Sequence, residues 1–277
     1  MKRILVPCDF SKPAIHAYRF ALSLATRSRG TLYLIFVVEL PVLHDTLLMP
    51  VLSIEQDFID DTKAKAEKDF KKLVKKYKPG SVKIKTEVIF GAVTRMIVDY
   101  AREKNVDIIV MGSHGASGIR EIVVGSNAEK IVRTATVPVM VLKEYHNDQV
   151  KRIVFPYVPE LDEQKDLIKQ VTRLQKFFSA HLHLVWINSP ALFHRDVDMQ
   201  TRMRVYANRF KLKAFTAHIF NDVNEREGII NFTETVGGDL IAMGTHGRRG
   251  ISHLFNGSIT ESLTNRVKWP VWTCVMK

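Results

Sequence analysis

The chain has 277 residues, 46% of them hydrophobic, which suffices for two domains that each bury a core. Its formal charge of +12 favours an anionic partner such as a nucleotide, a nucleic acid or a membrane surface. Two distant cysteines, Cys8 and Cys274, exclude a disulfide framework and indicate a reducing compartment. Apolar runs stay far below the roughly 20 residues of a membrane span, and the start of the chain is unlike a signal peptide, so we expect a cytoplasmic protein.

The beginning of the chain alternates strand and helix patterns. The apolar run 4–6 predicts a first strand, and Ser11 is the predicted N-cap of the helix that follows. Residues 32–38 form a continuous apolar run, which is typical of a parallel strand buried on both faces. These segments predict a βαβ unit.

A long helix follows. The capping-box pattern Ser53-x-x-Gln56 predicts its start, and Pro79-Gly80 ends it. The remaining periodicity of this half predicts a strand over 82–88, a helix over 93–103, a strand over 108–111, a helix over 127–133 and a strand over 137–142.

The same order of elements recurs in the second half. A helix is predicted through Leu167, Val171, Leu174 and Phe178, and the predicted strands are 152–155, 182–187, 215–220, 240–243 and 271–275. The copies differ most between their second and third strands, where 41–80 is long and 190–211 is shorter.

A short polar linker at 144–149 separates the copies, so the predicted domains are 1–147 and 148–277. Each is predicted to be a Rossmann-like α/β domain with five parallel strands and helices on both faces. Ligands of such sheets bind beyond the carboxyl ends of the strands, where the strand order reverses.

A glycine motif follows the fourth predicted strand in each copy. Residues 112–115 read Gly-Ser-His-Gly, and after nine residues 125–127 read Gly-Ser-Asn and open a helix; residues 244–247 and 257–258 repeat the glycines and the spacing. Glycines there let the backbone approach a phosphate, and the helix start offers free amides. A single Gly-x-x-Gly is a common turn, but its repetition favours nucleotide binding.

The loop histidines His114 and His246 invite a general-base or metal role. Neither has a second His, Cys or carboxylate at ligand spacing, so we interpret both as hydrogen-bonded loop residues and predict no catalytic and no metal-ligating residue. A Gly-x-x-x-x-Gly-Lys-Ser/Thr loop is absent from the sequence, so fast NTP hydrolysis is not indicated.

Both halves resemble the universal stress protein domain, whose signature is Gly-x-x-Gly, nine residues, then Gly-Ser or Gly-Thr. Residues 4–11 are similar to its first strand and turn, 111–115 to its fourth-strand loop and 137–139 to its last strand. The resemblance covers essentially the whole chain twice. It implies adenine nucleotide α-hydrolase-like domains that bind ATP, with Mg or Mn held through the phosphates, and a stress-response role signalled by nucleotide occupancy.

The resemblance also implies the binding residues. Asp9 would bind the ribose or lie beside the adenine, the Val37 backbone would meet the adenine, and the glycine motif would hold ribose and phosphates. The predicted site of the first half consists of Pro7, Cys8, Asp9, Val37, Met111, Gly112, Ser113, Gly115, Gly125, Ser126 and Asn127. Its weaker counterpart in the second half consists of Gly244, Gly247, Gly257 and Ser258.

The second half departs from this pattern. Val158 stands opposite Asp9, and Asn221 or Asp222 stands where the first half has Gly91. Two interpretations stay open, a second nucleotide site and a degenerate half that serves as a pairing partner. Domains of the family commonly pair through the last strand, which implies an intramolecular pseudo-dimer with Val139 and Val141 facing Val271 and Thr273; a homodimer also remains open.

Three alternatives compete with a regulatory ATP-binding protein. An adenine-nucleotide-dependent enzyme with slow ATP hydrolysis lacks a catalytic constellation, and a nucleotide-independent scaffold would keep only the fold. Nucleic-acid binding lacks a recognisable module, and the lysines of 63–78 have the spacing of a solvated amphipathic helix.

Overall fold

Strands and helices alternate in both halves. The computed structural model describes residues 1–39, 51–77, 80–113, 126–146, 149–159, 164–245 and 267–275. The strands are β1 (Arg3–Pro7), β2 (Thr31–Val38), β3 (Lys83–Phe90), β4 (Ile108–Gly112), β5 (Val139–Leu142), β6 (Arg152–Pro156), β7 (His181–Asn188), β8 (Phe215–Asn221), β9 (Leu240–Thr245) and β10 (Val271–Val275). The helices are α1 (Lys12–Ser28), α2 (Val51–Lys76), α3 (Val93–Glu103), α4 (Ser126–Thr134), α5 (Lys165–Phe178), α6 (Asp196–Arg209) and α7 (Glu225–Thr235).

The described strands form one sheet in the order β3-β2-β1-β4-β5-β10-β9-β6-β7-β8. Each half is parallel, and its order reverses between its first and fourth strands. The halves join where β5 and β10 pair antiparallel, with Val139 opposite Thr273 and Val141 opposite Val271. The predicted intramolecular pairing through the last strands is therefore confirmed.

Helices cover both faces of the first half. One face packs against α1 and α2, which bury Tyr18 and Phe70, and the other packs against α3 and α4, which bury Ile97 and Ile131. Ser11 is the N-cap of α1, as predicted, and its side chain accepts a hydrogen bond from the Ala14 amide. The layered α/β architecture predicted from the sequence is thus the observed one.

The predicted start of the long helix is wrong. α2 is already helical at Val51, so Ser53 lies inside the helix and cannot serve as its N-cap. A capping box predicts a start only when the preceding residue leaves the helical conformation. In the second half, α6 and α7 were not predicted, because their apolar residues are interrupted by polar ones and, in α7, by Gly228.

An aspartate fixes the start of the first strand in each half. Asp107 Oδ2 accepts hydrogen bonds from the Lys2 and Arg3 amides at 2.6 and 2.9 Å. Asp239 Oδ2 does the same for the Lys151 and Arg152 amides at 2.8 Å. The sequence signal was an Asp one residue before the apolar fourth strand in both copies.

Candidate functional site

Three residues predicted to bind nucleotide are aligned across the carboxyl edge of the first-half sheet. In the register of β1 with its neighbours, Pro7 lies opposite Ile35 and Leu5 lies opposite Ile109. Continued past the end of β1, the same registers place Asp9 level with Val37 on one side and with Ser113 on the other. This is the point of the sheet where the strand order reverses.

The end of β1 is buried and tied to β2. The Cys8 amide donates to the Ile35 carbonyl at 2.8 Å, and the Cys8 side chain is 2% exposed. Burial raises the pKa of the Cys8 thiol to about 12. The thiol is therefore neutral at physiological pH, which excludes it as a ready nucleophile.

The Asp9 carboxylate is positioned by the first turn of α1. Its Oδ1 accepts hydrogen bonds from the Ser11 amide at 3.1 Å and the Ser11 hydroxyl at 2.5 Å. Phe10 between them has a left-handed φ of 63°, which costs a non-glycine residue roughly 1 kcal/mol. Its ring packs 5.4 Å from Phe36 and 5.0 Å from Phe70, and this packing holds the turn.

The backbone of Val37 faces the same edge. The Ile35 carbonyl points to β1, where it accepts from Cys8, and the Val38 carbonyl points to β3, where it accepts from the Gly91 amide at 2.9 Å. Alternate residues of a parallel strand point to alternate neighbours, so the Val37 amide and carbonyl point to the β1 side. β1 has ended at Pro7, so both groups project beyond it.

Gly112 and Ser113 form a close-packed base for the glycine motif. A Cβ on Gly112 would lie 2.7 Å from the Pro13 carbonyl carbon and 3.0 Å from the Ala14 amide nitrogen, so only glycine lets α1 approach β4. The Ser113 amide donates to the Leu142 carbonyl at 2.8 Å, and its side chain is fully buried. Sequence reasoning explained Gly112 by phosphate approach and missed this packing, since no local signal links it to Pro13.

The other predicted residues are only partly placed. Met111 is buried at the end of β4, and Asn127 is exposed in the first turn of α4, which begins at Ser126. Within the described ranges, no three His, Cys, Asp or Glu side chains are grouped to hold a metal. Outside those ranges lie Gly115, Gly125, Gly247, Gly257, Ser258, His114 and His246.

The corresponding edge of the second half has an apolar residue at the position of Asp9. The Tyr157 amide donates to the Val185 carbonyl at 2.7 Å, as Cys8 does to Ile35, which sets Val158 at the position of Asp9. Val158 is 4% exposed. Gly244 and Thr245 end β9, and the corresponding residues of the first half are Gly112, the last residue of β4, and Ser113, which follows it. The second half therefore has a buried core side chain where the first half has the Asp9 carboxylate.

The polar groups at this second edge pair with one another. The Asn188 amide group donates to Asn221 at 3.1 Å, and Asn188 Oδ1 accepts from the His194 backbone amide at 3.0 Å. The Asp222 amide donates to the Asn188 carbonyl, which sets Asp222 at the position of Gly91, and Asp222 Oδ2 accepts from Asn231 at 2.8 Å. Sequence reasoning missed this network, because it depends on how the segment after β7 folds back.

A parallel sheet with helices on both faces and a candidate site at its switch point defines a doubly wound α/β protein. The profile of the Universal stress protein family matches residues 1–143 and again residues 150–274. The chain therefore belongs to the universal stress protein family, a class of stress-response proteins, and carries its domain twice.

Some relatives have the length of one domain, and one solved structure spans both domains. Universal stress protein MJ0531 of Methanocaldococcus jannaschii is 31% identical over 143 residues, which are 52% of this chain and 82% of the relative. Universal stress protein YxiE of Bacillus subtilis is 28% identical over 51% of this chain and 98% of its own length. The crystal structure of a universal stress protein from Archaeoglobus fulgidus covers 99% of this chain and 96% of its own, with a TM-score of 0.73 and 21% identity, which shows the shared fold.

Proposed function

We propose that the first half binds ATP at the carboxyl edge of its strands, and that occupancy of this site is the signal the protein gives under stress. One observation carries the proposal: the registers of β1 with β2 and β4, continued past the ends of β1 and β4, align Asp9 with Val37 and Ser113 where the strand order reverses. Sheets of this class bind their ligands at that point. The glycine motif predicted to hold the phosphates leaves β4 from the same edge.

Each part of ATP has a suitable group at this edge. The Val37 amide and carbonyl supply a donor and an acceptor for the adenine, and the Asp9 carboxylate accepts from ribose hydroxyls. The phosphates would bind to the glycine motif at residues 112–115 and 125–127, because the first amides of α4 favour an anion. A Mg or Mn ion held by the phosphates would neutralise their charge when bound.

The second half acts as the pairing partner in this proposal, with 1–147 and 148–277 as the two domains. Its Val158 offers a ribose no acceptor, and leaving the ribose hydroxyls without one would cost about 1 to 3 kcal/mol. The side chains of Asn188 and Asn221 bond to each other, and the Asp222 carboxylate accepts from Asn231. Phosphate binding by 244–247 and 257–258 alone is the competing possibility.

Binding rather than turnover is the role that the described residues support. The Cys8 thiol is neutral and buried, and the Asp9 carboxylate is held by Ser11. Slow ATP hydrolysis is the alternative from the enzyme class. Both cysteines are free thiols, as a reducing compartment favours, and we place the protein in the cytoplasm. The described residues contain no helix that is long and apolar enough to span a membrane.

The test is ATP binding by the full chain with and without Mg²⁺, measured by calorimetry, for the wild type and Asp9→Asn. Asparagine keeps an oxygen for Ser11 but loses the charge, so affinity should fall by about tenfold or more. The matched control Asp166→Asn removes an exposed carboxylate from α5 and should leave ATP affinity unchanged.

One ATP per chain with weakened binding by Asp9→Asn supports the proposal. Two per chain would show that the second half also binds. An absence of binding at millimolar ATP, or equal affinity in Asp9→Asn, would overturn it in favour of a scaffold. Phosphate release measured over hours on the same samples separates a binding protein from a slow hydrolase.

A further inference from the structure

A second candidate ligand site lies where the two halves meet, at the opposite end of β4 from Gly112. A cleft of about 640 Å³ opens between the amino ends of β4 and β5 and the carboxyl-terminal half of α5. Ligand pockets commonly have about 300 to 1,000 Å³. Because the first half supplies Ile108 and Val137 and the second half supplies α5 and Trp272, the cleft exists only when the halves are paired.

The floor of the cleft is apolar. Ile108 and Trp272, at 0% and 1% exposure, close the cleft from beneath, and the half-buried Val137 and Phe177 provide the apolar surface that a ligand can reach. An aliphatic or aromatic group placed on this floor would leave water and gain roughly 25 cal/mol for each Å² that it buries.

One wall of the cleft is cationic. Gln170, Arg173 and Lys176 lie three residues apart on α5, so they project from one side of the helix into the cleft. Among the described residues, no carboxylate lies within ion-pair distance of Arg173 or Lys176, whereas Lys169 on the same helix pairs with Asp166 at 3.2 Å. Asp107 is the one carboxylate among the described lining residues, and its Oδ2 is bound by two backbone amides.

The arrangement is specific to one side of the molecule. Both α1 and α5 end in a left-handed C-cap, at Arg29 and Ser179, which aligns the two helices. The counterparts of Gln170, Arg173 and Lys176 in α1 are then Phe20, Ser23 and Thr26, which carry no charge. Duplication of the domain therefore does not explain the cationic wall, because α1 does not carry it.

We propose that this cleft binds an organic anion, with a carboxylate or similar group at Arg173 and Lys176 and an apolar body against Val137 and Phe177. A planar guanidinium suits a carboxylate, and the ammonium of Lys176 adds a second cation. Residues from both halves touch the ligand, so binding stabilises the paired arrangement. The site is independent of the ATP site, because it lies at the other end of the strands.

The test uses two probes on the full chain in the presence of saturating ATP. The aromatic sulfonate 1-anilinonaphthalene-8-sulfonate reports binding by fluorescence, and octanoate competes with it, while octanol of the same length tests the need for charge. Octanoate should displace the dye at concentrations about tenfold lower than octanol does.

Arg173→Gln/Lys176→Gln should lower dye affinity about tenfold and abolish the preference for octanoate over octanol. Lys165→Gln/Lys169→Gln is the matched control, because it removes the same charge from α5 outside the cleft. Val137→Trp, which fills the cleft from the first half, should also weaken binding.

Three results would overturn the proposal: equal losses in the two double variants, unchanged dye affinity in Arg173→Gln/Lys176→Gln, or equal competition by octanoate and octanol. All substituted lysines and the arginine are exposed, so folding of the two double variants is not at risk, and these two variants decide the test. The outcome is independent of whether ATP binds, since the readout is the dye.

Discussion

The two halves place different polar groups at the same point of the sheet, under α3 in the first half and under α7 in the second. In the first half, the Tyr100 hydroxyl donates to Glu87 Oε2 at 2.9 Å, and the Tyr33 ring packs edge-on against Tyr100 at 6.1 Å. Burial raises the pKa of Tyr100, and the bond to Glu87 raises it further. The phenol therefore stays neutral throughout the physiological range.

In the second half, the strand registers put His183 at the position of Tyr33 and His218 at that of Glu87. His183 Nδ1 lies 3.1 Å from His218 Nε2, and the His218 ring packs 5.0 Å from Phe232 of α7. Burial, together with the nearby His218, His181 and Arg152, lowers the pKa of His183 to about 4.

The comparison teaches that one position of the fold can carry groups that differ in their response to pH. An imidazole changes charge near its ordinary pKa of 6.5 in the unfolded chain, and His183 does so only near pH 4 in the folded chain, whereas the phenol of Tyr100 stays neutral throughout. Two protonated imidazoles are both donors, so they cannot keep the hydrogen bond that joins His183 and His218. The second half is thus the half whose sheet edge responds to acid, and three experiments test how far the halves differ.

The largest effect is expected where the halves join. Trp272 of β10 lies opposite Met140 of β5 and is 1% exposed. Trp272→Ala should lower the free energy of unfolding by about 3 to 5 kcal/mol, because it leaves a cavity at the junction. Urea denaturation followed by circular dichroism measures this loss. Trp269→Ala, at a half-buried position, is the control. An equal loss of stability there would show that the junction does not contribute more than other tryptophan sites.

The next largest loss of stability is expected in α7, which covers His183 and His218 as α3 covers Tyr33 and Glu87. Counted from their N-caps, Met96 of α3 corresponds to Gly228 of α7. A Cβ on Gly228 would overlap Ile187 Cγ2 and lie 3.1 Å from Asp222 Cβ, so α7 approaches the sheet closely. Gly228→Met, which installs the residue of the first half, should cost about 3 kcal/mol through overpacking.

Urea midpoints measure that cost. The exposed substitution Glu234→Met on the same helix removes only a surface ion pair with Lys268, so its cost should stay within about 0.5 kcal/mol. An unchanged midpoint for Gly228→Met would contradict the close approach of α7 to the sheet. It would show that α7 has as much room for a side chain at this position as α3 has.

These positions also show what the sequence could and could not reveal. Continuous apolar runs such as 108–111 predicted the strands, because parallel strands buried on both faces carry little else. The motif order predicted that Asp9 and Gly112 belong to one edge of the sheet. The pairing of His183 with His218 and the contact of Gly112 with Pro13 depend on register and helix placement between distant segments, which local patterns do not encode.

The smallest expected effect is the most specific to the comparison. Folding lowers the pKa of His183 to about 4 and lowers that of His218 as well, so the folded chain binds fewer protons than the unfolded chain once the pH falls below their ordinary pKa. The folded state has its full stability above the ordinary histidine pKa of 6.5 and loses stability as the pH falls from there towards 4. From pH 7 to pH 5 the loss should be roughly 1.5 kcal/mol, allowing for solvent screening of half-buried rings.

Urea midpoints at pH 7 and pH 5, with EDTA present, measure this loss. His218→Gln keeps an amide facing His183 but removes one titrating ring. The stability lost between pH 7 and pH 5 should therefore shrink by about half. His194→Gln, at an exposed histidine outside the cluster, should leave the difference unchanged. In the first half, Tyr100→Phe should cost about 1 kcal/mol at both pH values alike, because the phenol does not titrate there. If wild type and His218→Gln lose equal stability between pH 7 and pH 5, the histidine pair is not what makes the second half sensitive to acid.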